Sequence, residues 1–93
     1  MILSFSCKKT ERFFRQGSPA AAWRSIAKIA ARKLDMLDAV VVLSDLKAPP
    51  GTKLEALERD RKGQHSIRIN DQWRVCFVWT EQGPTQVEIV DYH

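Results

Sequence analysis

The chain is 93 residues long, 44% hydrophobic and 28% charged, with fifteen Lys and Arg against eleven Asp and Glu. A chain of this size buries roughly 60–70% of its unfolded surface, which allows one domain, residues 1–93, with one modest core. No run approaches the ~18 apolar residues of a membrane span, and the opening MILSFSCKKTERFF breaks into charge too early for a signal peptide. The chain reads as soluble and cytoplasmic, with no membrane partner.

Cys7 and Cys76 lie far apart and outside any CxxC or Cys/His cluster, so they signal neither a zinc site nor a disulfide framework and read as buried free thiols. Charge is divided unevenly. Residues 1–50 carry nine Lys and Arg and four Asp and Glu, residues 51–93 six and seven, and within residues 1–33 the balance is eight to one. The basic excess is N-terminal.

In chain order, ILSF is a short apolar strand candidate, and KKTERFFRQ is a short helix that Gly17 stops. Ser18 and Pro19 then read as an N-cap and a first helical position. Trp23, Ile26, Ala27, Ala30, Leu34, Leu37 and Val41 step by three or four, which predicts one long helix ending near Val42 or Leu43. Arg24, Lys28 and Arg32 form a basic i, i+4 stripe on its other face.

From Thr52 the period changes to two. TKLEAL is a possible short strand; HSIRIN puts Ile67 and Ile69 on one side; WRVCFVW does the same for Trp73, Val75, Phe77 and Trp79; QVEIVDYH alternates Val87 and Ile89 against Glu88 and Val90. The joins DRKG, NDQ and EQGP are short and carry turn residues, which predicts antiparallel hairpins. The fold class is therefore α+β: a short strand and two helices packed on a three- to four-stranded antiparallel sheet.

The same alternation puts Arg68 and Arg74 on the face opposite the apolar set, with the terminal Asp91, Tyr92 and His93 arriving on the neighbouring strand. Two arginines with a phenol or an imidazole suit RNA cleavage by 2′-hydroxyl attack. That reaction needs a proton acceptor, a proton donor and positive charge on the phosphoryl oxygens. Histidine takes either proton role near neutral pH, arginine matches phosphate with its planar fork, and tyrosine can stack on a base.

Leu54, Leu57, Asp60, Arg61, Gly63, Ser66, Ile67, Ile69, Trp73, Arg74, Val75, Phe77, Trp79, Val87, Ile89, Asp91, Tyr92 and His93 follow one spacing. In it this half of the chain resembles the HigB-type toxins of bacterial type II toxin–antitoxin systems, in the RelE/ParE superfamily. The resemblance implies the RelE fold, which is microbial-ribonuclease-like, and a ribosome-dependent endoribonuclease needing no metal and no cofactor. It also implies messenger RNA as substrate, the ribosomal A site and its rRNA as the place of action, and silencing by a HigA-like helix-turn-helix antitoxin, through which alone operator DNA is contacted. Carried over by position, His93, Tyr92, Asp91 and Arg74 are the implied catalytic residues, with His93 the leading acid/base; Arg68, Arg61 and Lys62 are RNA or phosphate contacts. Where many relatives have a histidine and a Lys-Gly pair, this chain has Glu55, Glu58 and Arg59. That removes an imidazole and a phosphate charge and leaves open a weak or altered nuclease, or a degenerate toxin acting as a repressor partner. A ParE-like, gyrase-binding toxin is the remaining alternative.

Other residues read more plainly. Trp23, Trp73, Phe77 and Trp79 are core by their spacing, and His65 is a solvated turn histidine with a catalytic reading in reserve. Arg24, Lys28 and Arg32 are either a solvated face, an rRNA contact through summed charge, or a surface for an acidic antitoxin segment. Asp91 is either part of the site or a structural partner that fixes the Arg74 guanidinium.

Overall fold

The computed structural model describes residues 1–47 and 51–91. Pro49, one of the expected loop breakers, lies outside them. Two helices, α1 (Lys8–Gln16) and α2 (Ala27–Ala39), precede four strands, β1 (Glu55–Ala56), β2 (His65–Arg68), β3 (Trp73–Thr80) and β4 (Gly83–Asp91). The strands form one antiparallel meander in the order β1-β2-β3-β4, so the α+β architecture is the one expected. No helix of the described residues is long and apolar enough to cross a membrane.

Helix α1 ends at Gly17, whose left-handed φ of 74° lets its N–H donate to the Phe13 carbonyl at 2.8 Å. The second helical stretch departs from the single long helix expected. Ser18 and Pro19 are not helical, residues Ala21–Ile26 form a 3-10 helix, and α2 proper runs only from Ala27. In a 3-10 turn residues i and i+3 eclipse, so Trp23 and Ile26 both face the core, each 5% exposed. Trp23 meets Phe13 of α1 with ring centroids 6.0 Å apart. At the other end α2 stops at Ala39, before the β-branched run Val40–Val42 that opposes helix formation. Val41 is accordingly 80% exposed and does not belong to the buried stripe.

Ala30, Leu34 and Leu37 of α2 are fully buried against Ile67, Val75, Phe77 and Val87, with Trp73 and Trp79 partly buried at the margin. Burial of a leucine in such a layer contributes roughly 1.5–3 kcal/mol. The hairpin turns follow their sequences. Asn70 Oδ1 accepts from the backbone N–H of Gln72 and of Trp73 at 2.9 and 2.8 Å, an Asx turn. Thr80 pairs directly with Gly83, leaving a two-residue loop.

Between Cys76 and Val78 the β3–β4 register shifts, and Gln86 takes φ 53°. This β-bulge resets the alternation, so that Val87 and Ile89 face the helices while Glu88 and Val90 face away. The outer edge of β4 is closed by the N-terminal segment. Leu3 N–H donates to the Pro84 carbonyl, Val87 N–H to the Ser4 carbonyl and Gln86 N–H to Ser4 Oγ, while Ile89 N–H reaches the buried Thr10 Oγ1 of α1 at 3.1 Å. The expected N-terminal strand is thus reduced to one parallel bridge, Phe5 with Val87, while Ser4 Oγ and Thr10 Oγ1 accept two further β4 N–H groups. At the start of β1, TKLEAL pairs as a strand only at Glu55 and Ala56, since Lys53 at φ 47° breaks the extended run.

Two outcomes follow for this closed edge. Thr10→Val keeps the shape and removes the acceptor of a buried N–H, and should cost about 1–3 kcal/mol in urea unfolding. A methyl on Gly83, at φ 135°, would stand 2.6 Å from the Met1 carbonyl oxygen, so Gly83→Ala should destabilise by about 1–3 kcal/mol or more on the same measurement. Unfolding midpoints equal to wild type would contradict these contacts.

Candidate active site

The face of the sheet turned away from the helices is polar. By register it carries Ser66 and Arg68 of β2, Arg74 and Cys76 of β3, and Glu88 and Val90 of β4, with Glu55 of β1 paired to Ser66. Arg74 is at its centre and only 8% exposed. Its Nε donates to Ser66 Oγ at 2.7 Å, Nη2 donates to the Lys53 carbonyl at 2.7 Å, and Nη1 lies 3.5 Å from Glu55 Oε1. Ser66 is itself fully buried, whereas the Glu55 side chain is 52% exposed. A guanidinium held along its Nε and Nη2 edge is fixed in plane and direction, the condition for recognising phosphoryl oxygens.

A second arginine crosses this face. Arg61, in the 3-10 turn Arg59–Arg61 between β1 and β2, donates to Glu88 Oε1 at 2.7 Å and to Gln64 Oε1 at 3.1 Å. It therefore reaches from the β1–β2 turn to β4 over the fully buried Cys76. Burial pushes the Cys76 thiol up; Arg61 and Arg74 pull it down and Glu88 adds to the rise. Cys76 is thus a packed thiol, as expected, and Cys7 is half-buried rather than buried.

The remaining expected residues are distributed as follows. Arg68 is directly opposite Arg74 in register and is paired with Asp71 at the β2–β3 turn. Lys62 is exposed in the β1–β2 turn. Asp91 closes β4 opposite Trp73, so its side chain belongs to the alternate face from Arg74, and its Oδ2 accepts from Gln72 Nε2 at 3.1 Å. By that parity Asp91 and Arg74 leave neighbouring strands on alternate faces, and on the face of Arg74 Glu55 is a carboxylate 3.5 Å from Nη1. Tyr92 and His93 lie outside the described residues. Arg24, Lys28 and Arg32 are exposed on the helical layer, where the change from 3-10 to α-helix at Ala27 separates Arg24 from the other two.

His65 is not a solvated turn residue. It is the first residue of β2, half-buried, stacked on Phe77 with ring centroids 6.1 Å apart, and its buried Nδ1 has no hydrogen-bond partner among the described residues. Its parity with Ile67 turns it toward the core and away from Arg74. Ser66 and Glu88 were legible as site residues from their parity with Arg68 and Arg74. The Lys53 carbonyl was not, because its use depends on a left-handed backbone that nothing in TKLEAL announces. Among the described residues no three His, Cys, Asp or Glu side chains gather closely enough to hold a metal ion.

Known proteins resemble this chain over most of its length. The model of a family described as RelE-like toxin of type II toxin-antitoxin system HigB matches residues 3–93. Toxin HigB-1 of Vibrio cholerae serotype O1 is 40% identical over 82 residues, 87% of this chain and 86% of its own length. An uncharacterized protein of Haemophilus influenzae is 39% identical over 67 residues, 71% of this chain and 66% of its own. Among solved structures, the YoeB dimer from Staphylococcus aureus aligns with a TM-score of 0.57 at 18% identity, covering 99% of this chain and 94% of its own, a likeness of fold. The match reaches well beyond the C-terminal half that carried the resemblance, and the chain belongs to the HigB family of RelE-like toxins of type II toxin–antitoxin systems.

Proposed function

We propose that this toxin is an endoribonuclease that cuts messenger RNA on the ribosome, in the cytoplasm, and is silenced by a cognate HigA-like helix-turn-helix antitoxin. Toxins of this family are generally ribonucleases, and the observation that carries the reading is the fixed guanidinium of Arg74. It lies on the face of the sheet turned away from the helices, paired in register with Val90. Tyr92 and His93 follow Asp91 by one and two residues, a chain reach of at most about 7 Å from it. In this reading the positioned cation, together with the phenol and the imidazole that the sequence puts after Asp91, supplies the three needs of phosphodiester transesterification.

In the proposed reaction the 2′-hydroxyl gives up its proton, its oxygen bonds to phosphorus, and the bond from phosphorus to the 5′-oxygen breaks. The leaving oxygen takes a proton from His93, and the products are a 2′,3′-cyclic phosphate and a 5′-hydroxyl. Arg74 stabilises the charge that builds on the phosphoryl oxygens. Glu55, half-exposed and 3.5 Å from Arg74, is the described residue within reach of the same phosphate that can accept the 2′-hydroxyl proton. Arg74 also offsets the repulsion that a carboxylate here would exert on the RNA. Arg61 and Lys62 flank the face as secondary RNA contacts, while the exposed Arg24, Lys28 and Arg32 supply summed positive charge toward rRNA.

Purified toxin with ribosomes and a translated message should give discrete cleavage, read by primer extension. Deleting His93 should lower the rate by about 10²–10⁴-fold and leave the melting curve unchanged. Arg74→Met should lower kcat by about 10²–10³-fold. Absence of ribosome-dependent cleavage, or full activity without His93, overturns the nuclease reading; inhibition of gyrase supercoiling by the same protein would put a ParE-like action in its place.

A further inference from the structure

Beside Arg68 and Arg74, already read as phosphate contacts, lie two lysines that the sequence pattern does not single out, Lys33 and Lys53, at the edge of the sheet by Thr52. Thr52 is fully buried, and its two oxygens face two elements. Its carbonyl accepts the Arg68 N–H at 2.7 Å, and its Oγ1 accepts from Lys33 Nζ of α2 at 3.1 Å. The next residue, Lys53, holds φ 47° and aims its carbonyl at Arg74 Nη2, while its own side chain is exposed. Arg68 and Arg74 stand directly opposite each other in register, an arrangement that like charges disfavour unless a counter-charge is shared.

Lys33 is the most informative member. No carboxylate among the described residues pairs with it, and one of its three donors is engaged by Thr52. Burial lowers its affinity for a proton, and the charges of Arg32 and Arg68 lower it further. Retaining an unpaired, partly desolvated ammonium beside two guanidinium groups costs stability in the free protein. The counter-charges engaged nearby are Glu55 with Arg74 and Asp71 with Arg68, and the Asp71 side chain is 97% exposed. Arg32, Lys33, Lys53, Arg68 and Arg74 thus form a cationic track that wraps the sheet edge from α2 to the open face. Lys53 sits at its middle in a strained backbone conformation of the kind that clusters at ligand sites.

We infer that this edge is a phosphodiester-binding seam, in which Lys33, Lys53 and Arg68 hold the backbone phosphates of the messenger strand next to the one at Arg74. The seam rests on the nuclease reading for its direction, since it leads toward Arg74, but its ligand chemistry is that of any single-stranded RNA. A phosphate there supplies the negative charge that Lys33 lacks, and the track sets which side of the scissile bond the strand runs along.

The probe is a single-stranded 2′-O-methyl RNA decamer, which lacks the attacking hydroxyl, bound to the isolated toxin and followed by fluorescence anisotropy against salt. Lys33→Gln and Lys53→Gln should each weaken binding about fivefold to tenfold near 50 mM salt and reduce the slope of log affinity on log salt by about 0.7. Lys33→Arg should restore both, and Lys8→Gln on α1 should leave both near wild type. Unchanged binding in the Lys33 and Lys53 variants overturns the seam. Equal losses in Lys8→Gln and Lys33→Gln overturn it as well, by showing diffuse attraction. Lys53, exposed, keeps the test open should Lys33→Gln fail to fold. The decamer cannot be cleaved, so a toxin that never cuts message but shows the Lys33-specific effect retains the seam and loses the nuclease, and the converse result removes the seam alone.

Discussion

A guanidinium buried to within 8% of its surface must find partners or not be charged, and arginine does not surrender its proton. Arg74 answers this with a hydroxyl from Ser66 of β2 and with a carbonyl and a carboxylate from one stretch before and in β1, Lys53 and Glu55. That requirement explains much of the β1 region. Lys53 accepts a left-handed φ so that its carbonyl points at Nη2, and the strand that begins after it keeps only Glu55 and Ala56 in the ladder. A shorter edge strand is the structural consequence of supplying Arg74 with an acceptor.

The opposite face obeys a different constraint, the alternation that keeps Val87 and Ile89 on the helices. Without the extra residue at Gln86, β4 would arrive one step out of phase with β3, and its apolar residues would turn to solvent. The bulge pushes Gln86 outward, and the N-terminal segment satisfies the backbone groups it frees: Ser4 accepts from Gln86 N–H, and Ser6 Oγ donates to the Gln86 carbonyl. The first residues of the chain therefore complete the strand that carries its last ones.

The strands were legible in the sequence because period-two alternation and turn residues are local signals, as the Asx turn at Asn70 and the tight loop before Gly83 illustrate. Helix α2 was legible in its middle and not at its ends. The stepping Trp23, Ile26, Ala27 is compatible with both a 3-10 and an α geometry, and Val41 fits the helical spacing only if the β-branched run before it stays helical. Within the site, face assignment by parity identified Arg68 and Arg74, and the same parity, applied one residue further, separates Asp91 from them. His65 misled because a residue flanking a turn motif is assumed exposed, whereas here it opens a strand and stacks on Phe77. Contacts made by main-chain carbonyls or across long separations, such as Lys33 with Thr52, leave no trace in composition.

Charge adds a further division. The open face carries arginines that are largely matched: Arg74 by Glu55, Arg61 by Glu88 and Arg68 by Asp71. Its attraction for a polyanion is therefore local and directional rather than diffuse. Exposed positive charge is concentrated on the helical layer, at Lys8, Lys9, Arg12, Arg24, Lys28 and Arg32, with Lys53 and Lys62 exposed beside the sheet. Glu55 belongs to this balance: it neutralises the guanidinium that would otherwise be the least compensated charge in the sheet. In the proposed reaction an incoming phosphate would share Nη1 with Glu55. The group that sets the charge balance at Arg74 is then the carboxylate beside it, half-exposed at 3.5 Å from Nη1.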